Sequence, residues 1–353
     1  VTSTSSITRR RTLSATLGLG ETLFASSEER SFARAIEDGL EKVEAGLSAQ
    51  LMFADDIADA TSRYLMDAGG KRVRPVLALL TAQLGEGINP DVITAAQAIE
   101  ITHVASLYHD DVMDDAHMRR GVPSAQTVWG NSVAILTGDL MFARGSKLIA
   151  SLGDRALTLQ ADVFERLCLG QLHETVGPKE GDDPIEHYLD VLADKTGSLI
   201  AAAAITGVIF SNAPEEYRTP VELYGERIGV AFQLVDDVID LSSAIEETGK
   251  SAGTDLRAGV PTLPLLYLRR LAETDEAAAA LLDRLETASA ADADPALFTA
   301  AVRELREHAV TAETLAEARR WSDEAIAALA PLPEGPVKKA LTRFAEAIVQ
   351  RSA

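Results

Sequence analysis

The sequence predicts an all-α fold, on three observations. Apolar residues recur at three- and four-residue spacing along nearly the whole chain from Ser31 onward. Alternating apolar–polar runs of the strand type are almost absent. Alanine is abundant, with unbroken runs at Ala201–Ala204 and Ala277–Ala280, while aromatics make up only 5%. Alanine has the best helix propensity and lets helices pack closely.

Residues 1–27, rich in Ser, Thr and Arg, read as a disordered tail, leaving 28–353 as one all-α domain. Arg9, Arg10 and Arg11 precede only a mild segment, diluted by Ser14, Thr16, Gly18 and Gly20 and closed by Glu21, so an export signal is not expected. Leu40, Val43, Leu47 and Leu51 then mark a first helix, and Ile57 to Leu65 a second. Gly69-Gly70 ends that one, and Pro75 is expected at the first position of the next, since proline lacks the N–H that a helix start does not use. Asn89-Pro90 opens a long helix over about 91–115. Further helices are expected at about 131–152, 154–175, 184–194, 197–211 and 216–242. The Gly-rich stretch Glu247 to Thr262 reads as an irregular loop. Beyond Asp275 the chain is Ala/Glu-rich and amphipathic, with Trp321 as an expected core anchor. No short repeat and no composition break divides the chain.

The bulk numbers exclude several classes. A net charge of −21 argues against a nucleic-acid partner, which needs a basic surface. Cys168 is the single cysteine, so no intrachain disulfide forms; its apolar surroundings predict a buried thiol in a reducing, cytoplasmic setting. No apolar run approaches the ~18–20 residues of a membrane span.

Chemistry concentrates in two clusters of one form, Asp110-Asp111-Val-Met-Asp114 and Asp236-Asp237-Val-Ile-Asp240, 126 positions apart (236 − 110). Each lies in an apolar helical pattern, where residues i and i+4 share a face and put two carboxylates in register. Like charges so placed repel unless a cation neutralises them. Carboxylates with water suit Mg²⁺, an ion commonly shared with substrate phosphates. The scarce cations nearby are therefore informative. Lys71, Arg72 and Arg74 stand on a turn entering a helix N-terminus, a good setting for a diphosphate. His103 lies two turns before Asp110 on the same face, where a ligand contact and a satisfied core histidine both fit. Arg119-Arg120-Gly121 follows the first cluster, able to hold two phosphates or to cap a helix end by charge. Lys195-Thr196-Gly197 and Lys250 complete the set, and the glycine-rich nucleotide motifs are absent.

The segment His103-Val-Ala105-Ser106-Leu-Tyr108-His109-Asp110-Asp111-Val-Met-Asp114-Asp115-Ala-His-Met-Arg119-Arg120-Gly121 resembles the first aspartate-rich motif of the trans-isoprenyl (polyprenyl) diphosphate synthases, bacterial medium- to long-chain type. Gly69 to Pro75 resembles that family's isopentenyl-diphosphate turn. Phe232-Gln233-Leu-Val-Asp236-Asp237-Val-Ile-Asp240 resembles its second motif, followed by the lid at Gly249-Lys250. Order and spacing match from about residue 31 to 270.

The resemblance implies a single bundle of antiparallel helices around a deep cavity (the isoprenoid synthase fold), a homodimer, and a lipidic product that brings the enzyme to the membrane surface. It implies Asp110, Asp114 and Asp236 as ligands of about three Mg²⁺, with Asp111 and Asp240 assisting from a second layer. Arg119, Lys195, Thr196, Gln233 and Lys250 would hold the allylic diphosphate, and Lys71, Arg74, His103 and Arg120 the isopentenyl diphosphate. One departure stands out: where the family's lid often carries a second lysine, this chain has Gly259-Val260-Pro261-Thr262.

Residues one, two and three turns before Asp110 line a shaft, at Ser106, then Thr102 and His103, then Ile99, with Ala105 flanking. Bulky aromatics four or five residues before the first aspartate stop growth early in the family. Ala105 and Ser106 are small, and Tyr108 lies on another face, so a product longer than C20 is expected. The alternatives are a short-chain farnesyl or geranylgeranyl synthase, a cyclising terpene synthase, a non-catalytic subunit of a heteromeric synthase, and a simple metal- or polyphosphate-binding helical protein.

Overall fold

The computed structural model describes residues 26–242, 252–290 and 294–351. Most of the expected tail, residues 1–25, and the Gly249-Lys250 lid motif lie outside the described residues. The helices are α1 (Ser27–Gln50), α2 (Asp56–Asp67), α3 (Val73–Ala82), α4 (Pro90–Met113), α5 (Ala125–Trp129), α6 (Asn131–Ala150), α7 (Asp154–Val176), α8 (Pro184–Leu192), α9 (Ser198–Phe210) and α10 (Arg218–Asp240). After them come α11 (Thr254–Arg257), α12 (Leu263–Ala272), α13 (Glu276–Ala288), α14 (Pro295–Glu307), α15 (Ala309–Ala328) and α16 (Pro336–Gln350). Among the described residues, strand is confined to a two-residue pair, β1 (Met118–Arg119) with β2 (Val122–Pro123). The all-α expectation holds.

Local chemistry sets the helix starts. Ser26 and Glu29 form a reciprocal capping box, so α1 begins at Ser27 rather than Ser31, and Ser26 and Ser27 leave the expected tail. Asn89 caps α4 through the Val92 N–H, with Pro90 at the first helical position. Pro75 is not the first position of its helix. The left-handed Arg72 (φ 52°) starts α3 at Val73, leaving Pro75 within a first turn whose N–H groups need no helical partner. The loop expected at Glu247–Thr262 carries the short α11.

The chain forms two compact units. The first contains residues up to Glu165, Ser198–Gly225 and Ile326–Phe344. Its centre is α4, which packs on α1, α3, α6 and α9. Helix α9 also lies against α3, and small residues set the spacing of that pair. A Cβ on Gly207 would fall 2.1 Å from Thr81 Oγ1 and 2.2 Å from the Ala78 carbonyl oxygen, while Thr81 donates to the Ala204 carbonyl at 2.6 Å. Gly207→Ala is therefore expected to lower stability by about 1–3 kcal/mol through overpacking, measured as a lower denaturant midpoint.

The second unit contains Arg166–Gly197, Glu226–Ala325 and Ala345–Ala353. There α12 packs on α8 and α13, and α13 on α14. Two burial expectations fail in this unit. Cys168 is exposed, because Leu167 and Gly170 take the inward positions of that turn of α7. Trp321 is only half-buried, its Nε1 donating to Glu317 at 2.9 Å beneath Arg320, while Ala318, Ser322 and Ala325 supply the buried face of α15. Among the described residues, Pro184–Phe210 is long and apolar enough to cross a bilayer, against the expectation of no such run. Of its most apolar window, 72% is buried, and Asp194 and Lys195 interrupt it.

Candidate active site

In the first unit, α4 carries the first aspartate cluster to its C-terminal end, where unsatisfied carbonyls add negative potential. The Asp114 N–H donates to the Asp110 carbonyl at 2.8 Å, keeping the two residues one turn apart. Asp110 is half-buried and Asp114 exposed. Asp111 points the other way, fully buried, and accepts from Arg119 Nε at 2.6 Å. The β1–β2 hairpin turns through Arg120 and Gly121, both at positive φ (53° and 77°), as tight two-residue turns require. That turn directs the Arg120 guanidinium onto the carbonyls of Leu65 (2.7 Å) and Gly69. Two loops far apart in sequence thereby meet.

A dense cationic patch results. Of the three cations on the 69–75 turn, Arg72 is buried and neutralised, its Nε on Glu44 at 2.5 Å and its Nη1 on buried Glu100 at 3.1 Å. Arg74 is different: its Nε is buried without a hydrogen-bond partner. Burial pulls the Arg74 guanidinium down to about 10, with Glu100 opposing and Arg120 adding to the fall. Burial also lowers Arg120. His103 is driven well below the usual imidazole value by burial first, then by Arg74, Arg120, Arg119 and Arg72. An uncharged imidazole thus lies among Arg72, Arg74, Arg119 and Arg120. Lys71 is exposed at its edge of the turn.

Chain-length candidates lie on the same helix. Ala105 is fully buried, and its carbonyl lies on the α6 side at Gly138. Ser106 is buried and donates to the His103 carbonyl at 2.9 Å. Thr102 meets α6 at Gly145. Tyr108 is turned toward α2, donating to the Thr61 carbonyl and accepting from the Leu65 N–H at 3.3 Å.

In the second unit, residues Ala193–Gly197 form a π-turn that carries Lys195 and Thr196, an irregularity the sequence pattern does not announce. Glycines clamp it: a Cβ on Gly170 would lie 2.6 Å from the Lys195 nitrogen, and one on Gly229 2.6 Å from the Gly197 Cα. Lys195 Nζ pairs with Glu174. Asp194 and Glu226 are bridged by Arg166 at 2.9 and 2.8 Å. Gln171, one turn before Glu174, has a buried Oε1 without a partner. Sequence reasoning missed Glu174 and Gln171, because a lone acid or amide on an amphipathic helix carries no signal.

The second cluster divides as the first does. Asp236 is half-buried, 3.5 Å from Arg351, whose guanidinium also covers the Phe232 ring at 5.0 Å. Gln233 is half-buried one turn earlier. Asp240 accepts the Asp255 N–H on its carboxylate at 3.2 Å. Asp237 is the buried member: its Oδ2 accepts the Tyr188 hydroxyl at 2.8 Å and the Leu263 N–H at 3.1 Å. Burial raises its carboxyl to about 8, against the lowering effect of those two hydrogen bonds.

Residues 55–301 match the family model described as polyprenyl synthetase. The chain belongs to the polyprenyl synthetase family. It is a trans-polyprenyl diphosphate synthase by class. It is 42% identical over 323 residues to the nonaprenyl diphosphate synthase of Mycobacterium tuberculosis, covering 91% of this chain and 94% of that one. Among solved structures, the polyprenyl synthase of Caulobacter crescentus, complexed with calcium and isoprenyl diphosphate, superposes with a TM-score of 0.82 at 30% identity (91% and 97% of the chains). The geranylgeranyl pyrophosphate synthase of Corynebacterium glutamicum, in a complex of the same description, gives 0.79 at 40% identity (93% and 99%).

The residues of this polyprenyl synthetase fit a divalent ion shared with substrate. Among the described residues, no three acidic, histidine or cysteine side chains gather into a metal site by themselves. Mg²⁺ is commonly held by one or two carboxylates with phosphate and water completing the octahedron, which is what paired aspartates on one helix turn offer.

Proposed function

We propose that this polyprenyl synthetase condenses isopentenyl diphosphate with an allylic diphosphate, by ionisation, addition and proton loss, to give an all-trans product longer than C20, of the kind used for quinone side chains. The observation that carries the reading is the arginine cluster around neutral His103, with the buried Arg74 Nε aimed at no protein acceptor. Glu44, Glu100 and Asp111 offset Arg72 and Arg119, and the positive charge that remains at Arg74 and Arg120 favours an anion there.

In this reading Arg74, Arg120, His103 and Lys71 bind isopentenyl diphosphate. Asp110, Asp114 and Asp236 would hold the metal ions that accompany the allylic diphosphate, with Asp111 and Asp240 assisting from a second layer. Lys195, Thr196, Arg119, Gln233 and Lys250 hold the same diphosphate. Bound Mg²⁺, about three per site, supplies charge to the departing diphosphate. The lysine and arginine side chains add preorganised positive charge at the same oxygens. To bind substrate, Lys195 exchanges Glu174 for phosphate and Arg119 reaches past Asp111. The released diphosphate is a chemically adequate acceptor for the proton lost after addition, so no protein base is required.

The relatives named above span long-chain and geranylgeranyl synthases, so the small Ala105 and Ser106 carry the chain-length reading. Purified protein incubated with Mg²⁺, isopentenyl and farnesyl diphosphates tests it by chromatography of the prenyl alcohols. Products confined to C15 or C20 refute the long-chain reading, and turnover only with a second protein restores the heteromeric one. Water-soluble substrates and a lone thiol accord with a cytoplasmic enzyme whose product draws it to a membrane surface.

We also propose a homodimer. Ile135, Leu136 and Leu140 are exposed along α6, with Leu157 and Phe164 exposed on α7; an apolar row of this kind is characteristic of association surfaces. Leu136→Asp with Leu140→Asp is expected to convert the dimer to monomer, read by light scattering after size exclusion. An unchanged mass removes this face from consideration.

A further inference from the structure

Tyr188 takes no part in the chemistry proposed above, yet its hydroxyl is committed to the second aspartate cluster. It lies on α8, seven residues before Lys195, so it is rigidly linked through two turns to the π-turn that carries Lys195 and Thr196. Its hydroxyl donates to Asp237 Oδ2 at 2.8 Å, and both residues are buried. The same oxygen accepts the Leu263 N–H at 3.1 Å. One residue turn further, Asp240 receives the Gly253 N–H on its carbonyl at 2.8 Å and the Asp255 N–H on its carboxylate at 3.2 Å. Three backbone groups at 253, 255 and 263 are thus tied to the last turn of α10 through Asp237 and Asp240.

We infer that Tyr188 is a positioning residue: through Asp237 it fixes the spacing between the Lys195–Thr196 turn and the Asp236/Asp240 face, and anchors the Gly253–Leu263 segment to that face. The inference rests on the reading of Asp236 and Lys195 as holders of one allylic diphosphate. Without the hydroxyl, Asp237 keeps only the Leu263 N–H among these two donors, and the α8–α10 register loses its polar link. Isopentenyl binding is assigned to residues of the 69–75 turn, α4 and the hairpin, whereas the Tyr188 hydroxyl is spent on Asp237. The effect should therefore separate by substrate.

The test compares wild type, Tyr188→Phe and Tyr224→Phe. Tyr224 is a buried tyrosine whose hydroxyl donates to the Leu341 carbonyl at 2.8 Å, and neither residue is assigned to the reaction. For Tyr188→Phe, the Mg²⁺ concentration giving half-maximal rate and the KM for allylic diphosphate are expected to rise roughly tenfold, as loss of one buried hydrogen bond implies. The KM for isopentenyl diphosphate should stay within about twofold. A second readout needs no turnover: the thermal stabilisation of the protein by Mg²⁺ with inorganic diphosphate should shrink in Tyr188→Phe and not in Tyr224→Phe. If both variants lower the melting temperature alike and neither moves the Mg²⁺ or allylic dependence, Tyr188 is structural only and the inference is overturned. If wild type itself shows neither prenyl transfer nor stabilisation by Mg²⁺ and diphosphate, the functional reading falls instead.

Discussion

Asp110→Ala is expected to reduce turnover roughly 10²–10³-fold with little change in melting temperature, whereas its neighbour Asp111→Ala should chiefly lower the melting temperature, with the smaller loss of turnover that follows from freeing Arg119. Asp110 is half-buried at the end of α4, and its side chain is not part of the interior. Under the proposed function, its removal would delete one anionic holder of the ions that neutralise the leaving diphosphate, an interaction that would strengthen as the carbon–oxygen bond breaks. Asp111 is fully buried, and its partner Arg119 has a side chain 26% exposed. Removing one member of a buried ion pair costs about 3–5 kcal/mol, and the partial exposure of Arg119 puts the loss near the lower end. Steady-state kinetics with calorimetry on both variants separates the two. A melting temperature that falls equally in both would show that neither aspartate is primarily functional. Asp236→Ala and Asp237→Ala should repeat the contrast in the second cluster, where Asp237 is the buried member.

Ser106→Phe is expected to shorten the product to C20 or less while the first condensations continue. Position 106 lies one turn before Asp110, about 5–6 Å along the helix, close to the length of an isoprene unit. Under the proposed function, an aromatic ring there would stand in the path of the growing chain, one helix turn away from Asp110. Ala105→Phe should act in the same direction with a stability penalty of about 1–3 kcal/mol, because Ala105 is fully buried and its backbone abuts α6 at Gly138. Chromatography of the alcohols after phosphatase treatment reads both. If Ala105→Phe lowers the melting temperature and leaves product length alone, Ala105 belongs to the wall of the helix pair and not to the shaft.

The fold was legible because its determinants are local. Apolar period, Asn89-Pro90 and Gly69-Gly70 each announce a helix face, start or stop within a few residues, and α4, α6, α7, α9 and α10 begin within two residues of where the pattern puts them. The aspartates were legible for the same reason, their spacing being a property of one helix turn. What the sequence hid is non-local. The division of each cluster into a solvent-side and a buried aspartate depends on Arg119 and on Tyr188 with Leu263, partners 8 to 49 residues away. Arg72 looked like one of three equivalent cations until Glu44 and Glu100, each 28 residues distant, were found to hold it. The π-turn at Ala193–Gly197 is imposed by close approach at Gly170 and Gly229, not by its own residues. Cys168 and Trp321 were misjudged because an apolar neighbourhood in sequence does not say which side of a helix turns inward.

The suppressed basicity of His103 has a consequence for the acid–base behaviour of the whole cationic patch. Arg74 stays protonated around neutrality even when pulled down to about 10, Glu100 is paired with Arg72, and burial keeps the His103 imidazole uncharged below its ordinary titration point. The protein's charge in this patch is therefore constant around neutrality. Under the proposed function, a change with pH in the affinity for isopentenyl diphosphate then reports the ionisation of the ligand's own terminal phosphate, and the patch would act as a fixed-charge receptor for the fully ionised form.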